Sequence, residues 1–111
     1  MRTLKFNVDD LIITADEACD FTNLVPGSAG YLKAVFSFSP LWDDCVKVAS
    51  FWSVMGEEFP AQVLDENNSC VIPAEALKNR VFKVQVLGKG NKIRLKTNKV
   101  SVEQIERKVD L

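Results

Sequence analysis

The side chains of this chain that could do chemistry are, first, its adjacent carboxylates: Asp9-Asp10, Asp43-Asp44, Glu57-Glu58 and Asp65-Glu66. A glycosidase needs two carboxylates facing each other across a cleft, one with a raised pKa. Neighbours on a strand point to opposite faces, and all four pairs fall at turn signals, so they read as solvated turns. The chain contains no His, which removes His-based triads, Cys–His dyads and most zinc sites. Cys19, Cys45 and Cys70 have no CxxC spacing; odd in number and far apart, they read as free or buried thiols in a reducing compartment. Gly88-Lys89-Gly90 lacks the frame of a phosphate loop and reads as a hairpin turn. Asp65-Glu66-Asn67-Asn68 lacks the spacing and closing Glu of a calcium loop. The expectation is a non-enzymatic protein with no metal and no cofactor.

Binding chemistry is better represented. The formal net charge of −1 hides an asymmetry. Residues 1–75 carry twelve acidic and four basic side chains, whereas residues 78–99 carry eight basic ones and no acid. Folding that keeps these groups apart would give an acidic and a basic surface, favouring head-to-tail association or an anionic partner. Lys92, Arg94 and Lys96 alternate with Ile93, Leu95 and Thr97, placing three cations on one outward strand face, and Lys83 between Phe82 and Val84 also points outward. A nucleic-acid groove would pair such a stripe with stacking aromatics. Here the aromatics lie upstream, in Tyr31 to Phe59, so the stripe reads as a solvated edge or subunit contact, or a site for an anionic glycan, before nucleic acid. If Ala49 and Phe51 face the core, Trp52 faces out, either under the 15–30 loop or in an interface. Trp52, Lys83, Lys92, Arg94 and Lys96 are the candidate interface.

The elements that must position these residues centre on Tyr31 to Asp65, which holds four of the seven Phe and both Trp. Leu4, Phe6 and Val8 alternate with polar residues as a half-buried strand, and Leu11 to Thr14 resumes as a second strand or the far side of a bulge. In residues 15–30, Ala15 to Leu24 could form a helical turn started by Asp16, while Asn23 and Pro26-Gly27-Ser28-Ala29-Gly30 read as a loop that binds or crosses from one sheet to the other. Leu32, Ala34, Phe36 and Phe38 share a strand face, stopped by Pro40, and Trp42 plugs the open end of the fold from the corner that follows. Val46 to Val54 and Phe59 to Leu64 flank a turn at Met55-Gly56-Glu57-Glu58. Cys70 to Ile72 is a short strand, and a helix of one or two turns near 74–78 begins after Pro73. Strands at 81–87, around Ile93–Leu95 and around Val100–Val102 complete the chain. The total is about seven to nine short strands, a pattern that specifies an all-β sandwich or barrel. The expected fold is a two-layer antiparallel β-sandwich, one domain over residues 1–111. The expected inner faces comprise Leu4, Phe6, Leu32, Ala34, Phe36, Phe38, Ala49, Phe51, Leu64, Phe82, Val84, Val86, Val100 and Val102.

Composition agrees with that size and class. With 47% hydrophobic and 26% charged residues, the chain is globular, and at this length it buries roughly two-thirds of its unfolded surface. No apolar run approaches the ~20 residues of a spanning helix, and Met1-Arg2-Thr3 leads into alternation instead of a signal peptide.

Taken in order, Phe36-x-Phe38-Ser39-x-x-Trp42, Lys47-x-Ala49-x-Phe51, Leu64-Asp65, Cys70-x-Ile72-Pro73-x-Glu75-x-Leu77, Phe82-x-Val84-x-Val86-x-Gly88 and Thr97-Asn98-x-Val100-x-Val102 resemble a known pattern. It is that of small proteins encoded in the tail regions of phages and prophages of Gram-positive bacteria. The match spans residues 31–102, with Ala74 where the family often has an aromatic residue and Gln62 where it often has an aliphatic one. The resemblance implies an immunoglobulin-like or related β-sandwich acting as a tail- or baseplate-associated structural module. Its partners would be other tail proteins or further copies of itself, and its location the virion, or the host cytoplasm before assembly. It assigns no catalytic residue. The alternative is a module for anionic or cell-wall glycan, using the cation stripe and an exposed Trp.

Overall fold

The computed structural model describes residues 1–105; residues 106–111, part of the expected domain, lie outside the described residues. Among the described residues nine strands form two sheets: β1 (Arg2–Asp9), β2 (Ile12–Ala15), β3 (Leu32–Phe38), β4 (Val46–Ser53), β5 (Gln62–Val63), β6 (Ser69–Val71), β7 (Val81–Gly90), β8 (Ile93–Lys96) and β9 (Val100–Glu103). A 3-10 turn occupies Pro40–Trp42, and α1 is the single turn Ala74–Leu77, where a short helix is expected. No helix among the described residues is long and apolar enough to cross a membrane. The first sheet runs β2-β1-β3-β6; the second runs β5-β4-β7-β8, with β9 also on β7. The chain is all-β and two-layered.

The sheets are not purely antiparallel, which corrects the expectation from sequence. β1 and β3 pair in parallel from Arg2↔Leu32 to Val8↔Phe38. A parallel neighbour requires a long crossover to bring the chain back to the strand's start. β2 and the 16–31 loop supply it. β2 returns antiparallel as far as Phe6↔Ala15, and the loop then carries the chain back beside Arg2. The loop therefore rejoins the same sheet and does not change layers. It is held by the Arg2 guanidinium, which donates to the carbonyls of Asp20 (2.9 Å), Thr22 and Asn23 (3.4 Å). Leu24 is buried within the core, and Phe21 meets Phe6 edge-on at 5.6 Å.

The alternation read from sequence decides which side chains meet between the layers. Leu4, Phe6, Leu32, Ala34, Phe36, Ala49, Phe51, Phe82, Val84, Val86 and Val102 are all buried, and Phe38, Leu64 and Val100 pack against them partly exposed. Parallel pairing sets Phe6 beside Phe36, with stacked rings 5.4 Å apart, and the aromatic row continues through Phe38 to Trp42. Trp42 is fully buried at the end of the sandwich, and its indole N–H donates to the Asp10 carbonyl at 2.7 Å.

Two further turns differ from expectation. The return arm of the β4 hairpin holds only a bridge at Trp52↔Glu58 before β5, because Pro60 has no N–H to give the ladder. The β7–β8 turn is at Asn91–Lys92 instead of Gly88–Asn91; Lys92 adopts φ +60° and Gly90 pairs with Ile93. Gly88 and Gly90 are strand residues for packing reasons. A Cβ on Gly88 would lie 2.6 Å from the Trp42 ring, and one on Gly90 would lie 2.8 Å from Ile93.

β8 and β9 lie end to end along one edge of β7. β9 pairs residues 81–84 and β8 pairs residues 87–90. The link between them is a side-chain-mediated bulge. Val86 N–H donates to Thr97 Oγ1 at 3.0 Å, while Gln85 Nε2 takes the Thr97 carbonyl at 2.8 Å. Asn98 then reaches the other sheet. Its Oδ1 accepts from Ile13 N–H at 2.7 Å and its Nδ2 donates to the Ile13 carbonyl at 3.3 Å, so an amide side chain takes the place of a strand neighbour. The opposite side is closed by the β5–β6 turn.

Candidate functional site: the outer face of the five-stranded sheet

On β4 and β7 the even and odd positions separate cleanly. Ala49, Phe51, Ser53, Phe82, Val84, Val86 and Gly88 point inward and are buried. Cross-strand partners share a face. The pairs Val46↔Lys89, Val48↔Leu87, Ser50↔Gln85 and Trp52↔Lys83 therefore define the outer face, with Val63 beside Val48, Arg94 beside Lys89 and Lys96 beside Leu87.

Four of the five residues singled out from sequence share this face, Trp52 and Lys83 toward one end and Arg94 and Lys96 toward the other. Lys92 does not join them, because it occupies the hairpin turn, where its φ of +60° takes it off the strand face. The conclusion that three cations share one strand face is corrected to two, with Lys89 on the adjacent strand.

The face has two ends and a dry middle. At one end Trp52 is half-buried, not beneath the 15–30 loop but beneath Lys99, whose ammonium sits 3.7 Å from the centroid of its ring. The indole N–H of Trp52 is buried and finds no partner among the described residues. In the middle, Ser50 and Gln85 are buried although they point outward; Ser50 Oγ donates to Glu58 Oε1 at 3.3 Å and Gln85 uses Thr97. At the other end lies a groove of about 500 Å³ lined by Val46, Val48, Leu87, Gly88, Leu95 and the cations Lys89 and Arg94. Val46 is 63% exposed and the neighbouring Val63 69%, so this apolar strip is open to solvent. An exposed apolar strip edged by polar groups is the surface type of a contact site.

The apolar half of the site was not anticipated from sequence. The strand expected over Val46 to Val54 assigns only Ala49 and Phe51 to the core, and the apolar Val46 and Val48 on its other face carry no separate signal. Leu87 gave no signal of its own.

Burial, with the nearby Asp65 charge adding to it, pushes the Cys70 thiol up to about 12, which keeps it protonated and a poor nucleophile. All three cysteines are free thiols. Asp65 is held below the ordinary carboxylate range by hydrogen bonds from Ser69 backbone and hydroxyl, and then from Asn67 backbone. Among the described residues, no three His, Cys, Asp or Glu side chains gather into a set that could hold a metal ion.

No protein-family profile, curated protein or solved structure matches this chain.

Proposed function

We propose that this protein is a non-catalytic structural module that works by protein–protein contact through the outer face of its five-stranded sheet, as a tail- or baseplate-associated component of a phage or prophage virion. The observation that carries the contact reading is the open apolar groove of Val46, Val48 and Leu87, edged by Lys89 and Arg94. The virion assignment, and with it an immunoglobulin-like origin for the sandwich, rests on the resemblance over residues 31–102. An apolar strip supplies affinity by losing water, and the cations at its rim select a partner of opposite charge. The competing glycan reading draws on the cations Arg94 and Lys96. It needs a free aromatic platform, however, and the Trp52 ring carries Lys99 on its face.

The test is binding of the purified protein to the virion proteins encoded in the same phage or prophage genome. A defined complex that Leu87→Arg abolishes, with the fold of the variant unchanged by circular dichroism, is the expected result. Binding to none of them, together with absence of the protein from purified particles, overturns the reading.

A further inference from the structure

The groove has a complement on the same chain. At the end of the sandwich where Trp42 is buried, two turns form an exposed tip. The β1–β2 turn presents Asp9, Asp10, Leu11 and Ile12, and the corner around the 3-10 turn presents Leu41, Asp43 and Asp44. Ile12 is 56% exposed, and Leu11 and Leu41 are also exposed, so the tip is apolar as well as acidic. It is one rigid unit. Asp10 N–H donates to Ser39 Oγ at 2.8 Å, Ser39 Oγ donates to Asp10 Oδ1 at 3.1 Å, and the Trp42 indole holds the Asp10 carbonyl. None of the tip carboxylates is in an ion pair among the described residues, where Arg2–Asp20 is the one such contact.

We propose that the groove of one copy receives the acidic, apolar tip of a second copy, so that the protein self-associates. The proposal rests on the outer face being a contact surface and names its occupant. Charge decides the pairing. Groove against groove would set Lys89 and Arg94 against their own copies, and tip against tip would crowd eight carboxylates, four from each copy. Tip into groove instead pairs Asp9, Asp10, Asp43 and Asp44 with Lys89 and Arg94, while Leu11, Ile12 and Leu41 meet Val46, Val48 and Leu87. Both surfaces are exposed within a single copy, so a copy does not satisfy itself. The tip adjoins the groove at one end of the sandwich, the Asp44 carbonyl lying 3.4 Å from where a Cβ on Gly90 would be, so the contact is either made twice about a two-fold axis, giving a dimer, or made once per copy, giving a ring or filament.

The experiment is solution mass by light scattering against protein concentration, at about 50 mM and about 500 mM salt, which span strong and weak screening. Wild-type protein is expected to exceed the 12.4 kDa of one chain, increasingly so with concentration, and to dissociate in high salt. The groove variant Lys89→Glu/Arg94→Glu and the tip variant Asp43→Lys/Asp44→Lys each remain monomeric alone. Mixed in equal amounts, they form a capped one-to-one dimer, because the tip variant keeps a native groove and the groove variant keeps a native tip. These substitutions are at exposed positions, and identical melting curves confirm the folds. A wild-type monomer at all concentrations overturns the proposal while leaving contact with other virion proteins standing. Association that neither variant weakens by at least about tenfold also overturns it.

Discussion

Single atoms set the limits of this fold at Gly88. The residue sits third from the end of a ten-residue strand and is paired on both sides, where a side chain would ordinarily improve packing, yet the Trp42 ring lies where its Cβ would be. Gly88→Ala must displace the ring or the strand, and the ring is tied to the Asp10 carbonyl. Overpacking of this kind costs ~1–3 kcal/mol. The expected outcome is a lower urea midpoint with an unchanged slope and a shifted tryptophan emission; unchanged stability would mean that Trp42 is not seated on Gly88. The same residue explains a misread turn. Gly88-Lys89-Gly90 has the composition of a turn, and only a tryptophan 46 positions earlier in the chain makes glycine necessary within a strand.

At the scale of the element, the β5–β6 turn depends on one carboxylate. Asp65 accepts from Asn67 N–H (2.9 Å), Ser69 N–H (3.0 Å) and the Ser69 hydroxyl, and its backbone N–H donates to the Ser69 carbonyl. These bonds favour the charged form, so its pKa in the folded protein lies below the ordinary value of 3.8. The sign follows directly. The contribution is present above pH 3.8 and is lost as pH falls through the lower, folded-state value. Asp65→Asn is therefore expected to destabilise the protein at neutral pH, and the gap from wild type is expected to narrow in acid; urea midpoints across that pH range measure it. A gap that stays constant would show that the charge plays no part. The turn itself was legible, since Asp-Glu-Asn-Asn-Ser is turn chemistry wherever it occurs. The β4 hairpin was legible only in part: the turn lies at 54–56, ahead of the expected Met55–Glu58, with Glu58 already bridged to Trp52, and Pro60 leaves most of the return arm without a ladder.

At the scale of the molecule, Asn98 joins the two layers. Asn98→Ala removes both hydrogen bonds to Ile13 and strands a backbone N–H at the sheet edge, an expected loss of ~1–3 kcal/mol. Hydrogen exchange at the Ile13 amide should accelerate more than exchange in β7, because the Asn98 side chain is the partner of that amide; the backbone bond from Asn98 N–H to the Leu11 carbonyl (3.3 Å) remains. Equal acceleration throughout would mean only a general loss of stability. The inner faces, the all-β class, the short helix and the buried tryptophan corner follow from the sequence alone, because strand alternation and turn chemistry are set by neighbours a few residues apart. Three features were decided only by the tertiary structure. These are the parallel β1–β3 pair, the clamp between Asn98 and Ile13 across 85 positions, and the outer face that carries Trp52 and Lys83 at one end and an apolar groove edged by Lys89 and Arg94 at the other. Each depends on which strand edges meet after the chain has crossed back on itself, and residue spacing carries no record of that.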